Sequence, residues 1–243
     1  MTENIKALLP YIQSHNLFDK YDFRLVGGTA LSYHINHRIS EDLDVCLTEP
    51  LPLDDIAIFI EDCTKLFGIE NIEYIEPSRA MMEDFLIGGD NVEYYLQIWI
   101  IHKVKIQFFD GSSNLGTREF LKNDGFTNIG NIKLSSLDTI FKMKSLMFYK
   151  RTKARDLFDM ISFYQLGDSN FSALKTKELI INFEKLYNTE DSFKLLWLES
   201  FKNKTYIKER DEGLSGLTDD VRSYQEMRDA LVDIFEKLTL DNK

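Results

Sequence analysis

Residues 24–47, RLVGGTALSYHINHRISEDLDVCL, limit the possible folds more than any other part of the chain. An apolar run over 23–26 reads as a short strand that ends at Gly27-Gly28. A helical pattern follows, with Ala30, Leu31, Tyr33 and His34 on its apolar side and Thr29 as its expected cap. Residues 43–47 then read as a second strand. Side chains alternate across a strand, so Asp42 and Asp44 share one face while Leu43 and Val45 point into the core. Two carboxylates side by side repel each other. An all-oxygen pair of this kind suits Mg²⁺ or Mn²⁺ better than zinc. The glycines remove two β-carbons where the backbone turns into a helix, which lets a phosphate chain approach main-chain N–H groups at the positive helix end. Each half of this pattern occurs alone in unrelated proteins, the acid pair as a solvated strand edge and the glycines as an ordinary tight turn. Joined in this order, they describe a phosphate cradle facing a metal clamp.

The rest of the chain supplies strands first and helices later. Residues 4–18 and 54–67 have helical periodicity, and 71–75 reads as a strand. The run NVEYYLQIWIIHKVKIQFFDG predicts two antiparallel strands that turn at His102-Lys103. Residues 111–130, punctuated by four glycines, read as a loop-rich crossing. From about residue 136 onward only helical patterns remain, with breaks near Thr152, at Gly167 and in the ERDEGLSGLTDD segment. The expected class is α+β: a lobe over 1–130 with a mixed sheet flanked by helices, then a helical lobe over 131–243. Trp99, Tyr94, Tyr95, Phe108 and Phe109 are expected in the sheet core, His34 in packing and His37 in a loop.

Composition narrows the function. With 243 residues, 44% of them apolar, the chain can bury a substantial core. It has no apolar run of the roughly 20 residues a spanning helix needs, and no basic-then-apolar leader, so the expectation is a cytoplasmic protein with no membrane association. Cys46 and Cys63 lack metal-site spacing and are expected as buried reduced thiols. A net charge of −11 argues against non-specific coating of nucleic acid. Yet residues 142–155, KMKSLMFYKRTKAR, hold six basic residues and no acidic one, a local positive site suited to a polyanion such as a nucleoside triphosphate.

Within that segment Lys144 lies on a helical stripe with Leu137, Ile140, Phe141, Met147, Phe148 and Arg151. A lysine on an apolar stripe either snorkels to water or reaches a buried anion. Arg151 could hold a second phosphate oxygen with its planar fork. Asp156 and Asp159 share a face of the next helix and could position Lys144 and Arg151 by ion pairing, or one could accept a proton from an incoming hydroxyl.

The stretch GGTALSYHINHRISEDLDV resembles the first motif of nucleotidyltransferase toxins of the AbiEii/AbiGii type, a branch of the DNA polymerase β-like nucleotidyltransferase superfamily. The elements that match are Gly27, Gly28, Thr29, Ala30, Leu31, His37, Arg38, Ser40, Asp42, Leu43 and Asp44. The family's helical lysine, its arginine seven residues later and its basic-D-x-x-D motif match Lys144, Arg151 and Arg155-Asp156-Leu157-Phe158-Asp159. The resemblance implies a Mg²⁺-dependent transfer of NMP from an NTP to a hydroxyl, at a tRNA 3′ end or a protein side chain, in a toxin–antitoxin or abortive-infection system with a cognate antitoxin. It implies metal ligation by Asp42 and Asp44 and catalysis by these with Lys144 and Asp156. Nucleotide binding falls to Gly27, Gly28, Thr29, Ser40, Lys144 and Arg151, with Arg38, Arg155 and Asp159 in support. The sequence departs from the superfamily in one respect: Gln107 stands where a third strand carboxylate is common. Either Asp156 supplies the missing base, or the chain is a catalytically weak nucleotide-binding module acting through a partner; a further alternative, which an acidic cleft would suit because its substrates are cationic, is an antibiotic-type small-molecule nucleotidyltransferase.

Overall fold

A computed structural model describes residues 1–112, 115–151, 153–186, 198–205, 213–220 and 222–240. The chain divides into two compact units, Met1–Thr139 and Ile140–Lys243. Parts of the ERDEGLSGLTDD segment and Thr152 lie outside the described residues.

The first unit contains a seven-stranded mixed sheet. In chain order its elements are α1 (Glu3–Ser14), α2 (Asn16–Lys20), β1 (Arg24–Val26), α3 (Gly27–Ile35), β2 (Asp42–Leu47), α4 (Leu53–Phe67), β3 (Ile72–Ile75), α5 (Arg79–Ile87), β4 (Leu96–Ile101), β5 (Val104–Asp110), α6 (Leu115–Asn123), β6 (Phe126–Ile129) and β7 (Ile132–Ser135). The strands run β3-β4-β5-β2-β1-β7-β6 across the sheet. β2 pairs parallel with β5 and antiparallel with β1, which places the acid-bearing strand at the centre.

Two sequence expectations change in detail. The helix expected over 4–18 is two helices, because His15 leaves helical geometry and its ring nitrogen accepts from the Leu17 N–H to start α2. The crossing expected over 111–130 holds α6 and leads into the β6–β7 hairpin, which adds β7 in parallel to β1. Its short, mostly exposed β6 gave little apolar alternation to read. The β4–β5 hairpin forms as expected, with His102 and Lys103 both left-handed (φ 49° and 64°), the geometry of a two-residue turn that follows strand twist.

One sheet face carries the core. Leu25, Leu43, Val45, Ile106 and Phe108 are fully buried. Phe108 sits 5.7–5.9 Å from Phe23 and Phe59, edge-on to both, and Phe18 packs edge-on against the same two rings. α1, α2 and α4 supply that cover through Leu8, Ile12, Phe18 and Phe59. Truncating a ring such as Phe108 to alanine removes about 3–5 kcal/mol. Tyr94, expected in this core, is instead 44% exposed, and Trp99 is half-buried against Tyr74. Trp99 lies on β4, next to the edge strand β3, and Tyr94 lies in the turn before β4. Cys46 and Cys63 are buried free thiols.

The second unit is helical among its described residues: the greater part of α7 (Leu137–Lys150), then α8 (Ala154–Gln165), α9 (Ala173–Leu186), α10 (Leu198–Lys202) and α11 (Tyr224–Leu240). Phe141 meets Phe163 of α8 at 5.1 Å, and Phe148 meets Phe201 of α10 and Phe235 of α11. The apolar stripe of α7 therefore faces a core, and Lys144 sits within it.

Candidate active site

Gly27 holds φ at +71°, in the left-handed region that disfavours side chains. A β-carbon there would lie 2.0 Å from Asp44 Oδ2. The glycine's missing side chain is thus what lets the Asp44 carboxylate rest against the turn. A β-carbon on Gly28 would meet Arg38 Nη2 at 2.6 Å and Ser40 Oγ at 3.3 Å. Both glycines are covered by the very residues expected to share their function.

α3 begins directly at Gly27, with Val26 as its cap residue and no side-chain capping bond. This corrects the expectation that Thr29 caps the helix. Thr29 lies inside the first turn, fully buried, where its hydroxyl donates to the Asp42 carbonyl oxygen. The Thr29 and Ser40 hydroxyls are also hydrogen-bonded to each other at 2.8 Å. Thr29 and Ser40 therefore brace the start of β2 against α3. The first turn of α3 has no side-chain cap, and an uncapped helix start is the kind of backbone that can receive an anion. Arg38 is buried and donates to the Ile39 carbonyl, while its own carbonyl accepts from Ser32. His34 Nε2 lies 2.8 Å from the Ser135 carbonyl oxygen, a packing role.

On β2 the alternation holds: Asp42 and Asp44 are half-buried on one face, and Leu43 and Val45 are fully buried on the other. The parallel register sets Lys105 beside Asp42 and Gln107 beside Asp44. Lys105 Nζ lies 3.0 Å from Asp42 Oδ2. Lys105 alternates onto the same face as Gln107, and the strand register, which local sequence does not display, creates this ion pair. Asp110 ends β5, buried, and accepts from the Ser112 N–H and hydroxyl, away from the pair.

In the second unit Lys144 is nine-tenths buried with its Nζ 2.6 Å from Asp159 Oδ2 and 3.7 Å from Asp156 Oδ1. Arg151 approaches Asp156 as a fork, Nε to Oδ2 at 2.9 Å and Nη2 to Oδ1 at 3.4 Å. Of the two readings open for Lys144, the buried anion is the one observed, and the chain supplies it as two aspartates. Removing one partner of such a pair strands a buried charge, at about 3–5 kcal/mol. Arg155 points elsewhere, donating to the Gly213 carbonyl at 3.2 Å.

Among the described residues no three His, Cys, Asp or Glu side chains converge as a metal cage. Two carboxylates are nonetheless the complement Mg²⁺ commonly takes from protein when substrate phosphates provide the remaining oxygens. Asp42 and Asp44 fit that requirement.

The first turn of α3 thus begins on a left-handed Gly27 that lies against Asp44 of the central strand β2. The family described as nucleotidyl transferase AbiEii toxin, type IV TA system, matches residues 14–238, and the chain belongs to that family. It is accordingly a nucleotidyltransferase of a toxin–antitoxin context. Two crystal structures resemble it: a candidate nucleotidyltransferase from H. pylori (16% identity, 99% of this chain and 96% of that one, TM-score 0.49) and JHP933 from Helicobacter pylori (15%, 99% and 97%, 0.46). No curated protein matches the chain.

Proposed function

We propose that the protein transfers a nucleoside monophosphate from a nucleoside triphosphate to an acceptor hydroxyl. A bond forms from the acceptor oxygen to the α-phosphorus, the bond to the β-phosphate oxygen breaks, pyrophosphate leaves, and the hydroxyl proton passes to solvent. The observation that carries this reading is the Gly27 turn closed against Asp44, which sets backbone N–H groups and two carboxylates on one short segment. Asp42 and Asp44 would hold Mg²⁺ or Mn²⁺. The ion supplies charge neutralisation at the reacting phosphate when bound.

The backbone of Gly27, Gly28 and Thr29 receives phosphate oxygens, while Thr29, Ser40 and Arg38 keep that backbone in place. Lys144 and Arg151, in the second unit, are the cations that the family's motif assigns to nucleotide phosphates. Asp156 and Asp159, whose oxygens already face those cations, act as positioning residues. For phosphoryl chemistry, positioning and electrostatics supply most of the rate, so this role is a substantial one. The acceptor is a tRNA 3′ end or a protein side chain, and the family's setting supplies an antitoxin partner. No described helix is long and apolar enough to cross a membrane, which is compatible with action in the cytoplasm.

One observation favours a second reading: the position beside Asp44 is an amide, Gln107, which cannot act as a base. That supports a nucleotide-binding module with little turnover, working through a partner. Incubation with each labelled triphosphate, Mg²⁺ and total tRNA separates the readings. Labelled RNA or protein, abolished in the Asp42→Ala/Asp44→Ala variant, supports transfer. Binding without transfer supports the module. Transfer that survives loss of both aspartates refutes the site.

A further inference from the structure

We infer that Lys105 is a built-in counter-ion of the acid pair, occupying by its ammonium the place of a second cation, so that the site takes a single divalent ion. This deepens the nucleotidyl-transfer reading and rests on it. Three features of the strands carry it. The parallel register seats Lys105 directly beside Asp42, with Nζ 3.0 Å from Oδ2. The neighbouring register position, beside Asp44, holds the neutral Gln107. Among the described residues no third carboxylate, histidine or cysteine joins the pair.

The charge balance follows. Two metal ions that clamp a transferring phosphate sit about 4 Å apart and are typically bridged by several carboxylates. Here the face of β2 and β5 carries two aspartates and one lysine, a net charge of −1 before any ligand arrives. A second divalent ion at Asp42 would have to displace an ammonium already at hydrogen-bonding distance, or stand a few ångströms from it. Lys105 is only 31% exposed in its side chain and Asp42 only 27%, so solvent screens that repulsion less than at an open surface. The ammonium also holds the Asp42 carboxylate in one orientation before the nucleotide arrives, with Asp44 held against Gly27. Lys105 is therefore a positioning residue that sets metal stoichiometry, a role the chain's sequence spacing alone does not display.

The test is Mn²⁺ binding to the full chain, read by electron paramagnetic resonance and calorimetry, alone and with each α,β-methylene nucleoside triphosphate. Wild type is expected to bind one Mn²⁺ per chain with the matching analogue. Lys105→Met should tighten binding of Mn²⁺ alone by roughly tenfold or more, as expected when a unit positive charge is removed within a few ångströms of a dication. Lys105→Arg, which keeps the charge, should behave as wild type. Lys105→Glu, which restores a third carboxylate, should admit a second Mn²⁺. Far-UV circular dichroism verifies that each variant is folded. Two Mn²⁺ in wild type, or unchanged affinity in both Lys105→Met and Lys105→Glu, overturns the inference while leaving the site reading intact. Mn²⁺ binding that is indifferent to Asp42→Asn/Asp44→Asn in every background overturns the site reading, and this inference with it.

Discussion

Gly27→Ala is the sharpest probe of the site, because the structure provides its own control. Gly27 and Gly89 both hold φ in the left-handed range, at +71° and +77°. An added β-carbon at Gly89 meets nothing within 4 Å, whereas at Gly27 it would lie 2.0 Å from Asp44 Oδ2. Both substitutions incur the cost of placing alanine in left-handed geometry, about 1–2 kcal/mol. Gly27→Ala must in addition push the carboxylate beyond 3.0 Å, off its rotamer, which adds about 0.5–1.5 kcal/mol. Thermal unfolding should show Gly89→Ala lowering Tm by roughly 2–8 °C and Gly27→Ala by a few degrees more. The functional separation should be far wider. A displacement of this size at a reacting centre costs on the order of 10²-fold in rate. Gly27→Ala should therefore lose nucleotide transfer, and Asp42/Asp44-dependent Mn²⁺ binding with it, while Gly89→Ala retains both. If the two variants melt together and transfer alike, the contact between the turn and Asp44 does not organise the site.

Asp42→Asn and Asp44→Asn should each reduce transfer by at least about 10²-fold while leaving Tm close to wild type, since neither carboxylate is buried in the core. A drop in Tm with activity retained would count against a metal-holding role. Lys144→Met should destabilise by about 3–5 kcal/mol in urea titrations, because Asp159 is left buried with its nearest cation gone, and Lys144→Met/Asp159→Leu should recover much of that. A loss under about 1 kcal/mol for the single variant would show that the pair is not buried as described. Burial, reinforced by the charge of Asp62, pushes the Cys63 thiol from its usual 9.0 up to about 12. A group whose folded pKa is raised contributes stability that is complete below the unfolded value and is lost as pH climbs through the folded one. Stability should thus decline between about pH 9 and 12, by at most about 1.4 kcal/mol per pH unit for this proton, and Cys63→Ala should flatten that slope.

The central fold was legible because local chemistry and tertiary position agree there. Strand alternation at Leu43 and Val45 against Asp42 and Asp44 reports a sheet with one buried face, and the structure buries those two residues completely. His102-Lys103 marks the β4–β5 hairpin because a polar pair interrupts two β-branched and aromatic runs. The β6–β7 hairpin gave no such mark. Phe126, Thr127 and Asn128 are all exposed, so the strand is held chiefly by its ladder to β7 and by Arg24 and Lys133, which stand over the Phe126 ring at 4.6 and 5.1 Å. Pattern reading detects burial, and an edge strand of this kind has little to detect.

The same limit explains what was missed at the site. Thr29 was expected at the helix cap because threonine satisfies open N–H groups there, and a helix whose cap lies three residues earlier, at Val26, turns the hydroxyl inward to Asp42 instead. Lys144 on its apolar stripe was legible as an anomaly, and Asp156 and Asp159 as its candidate partners, since helix geometry fixes which side chains share a face. Lys105 was not, although it stands only two residues from Gln107. Its significance depends on β2 and β5 lying parallel in one particular register, and a shift by one residue would send Lys105 to the opposite face. The departure at Gln107 therefore cannot be weighed by itself: the amide beside Asp44 and the ammonium beside Asp42 act on the same two carboxylates, and together they change how much positive charge the pair needs from outside.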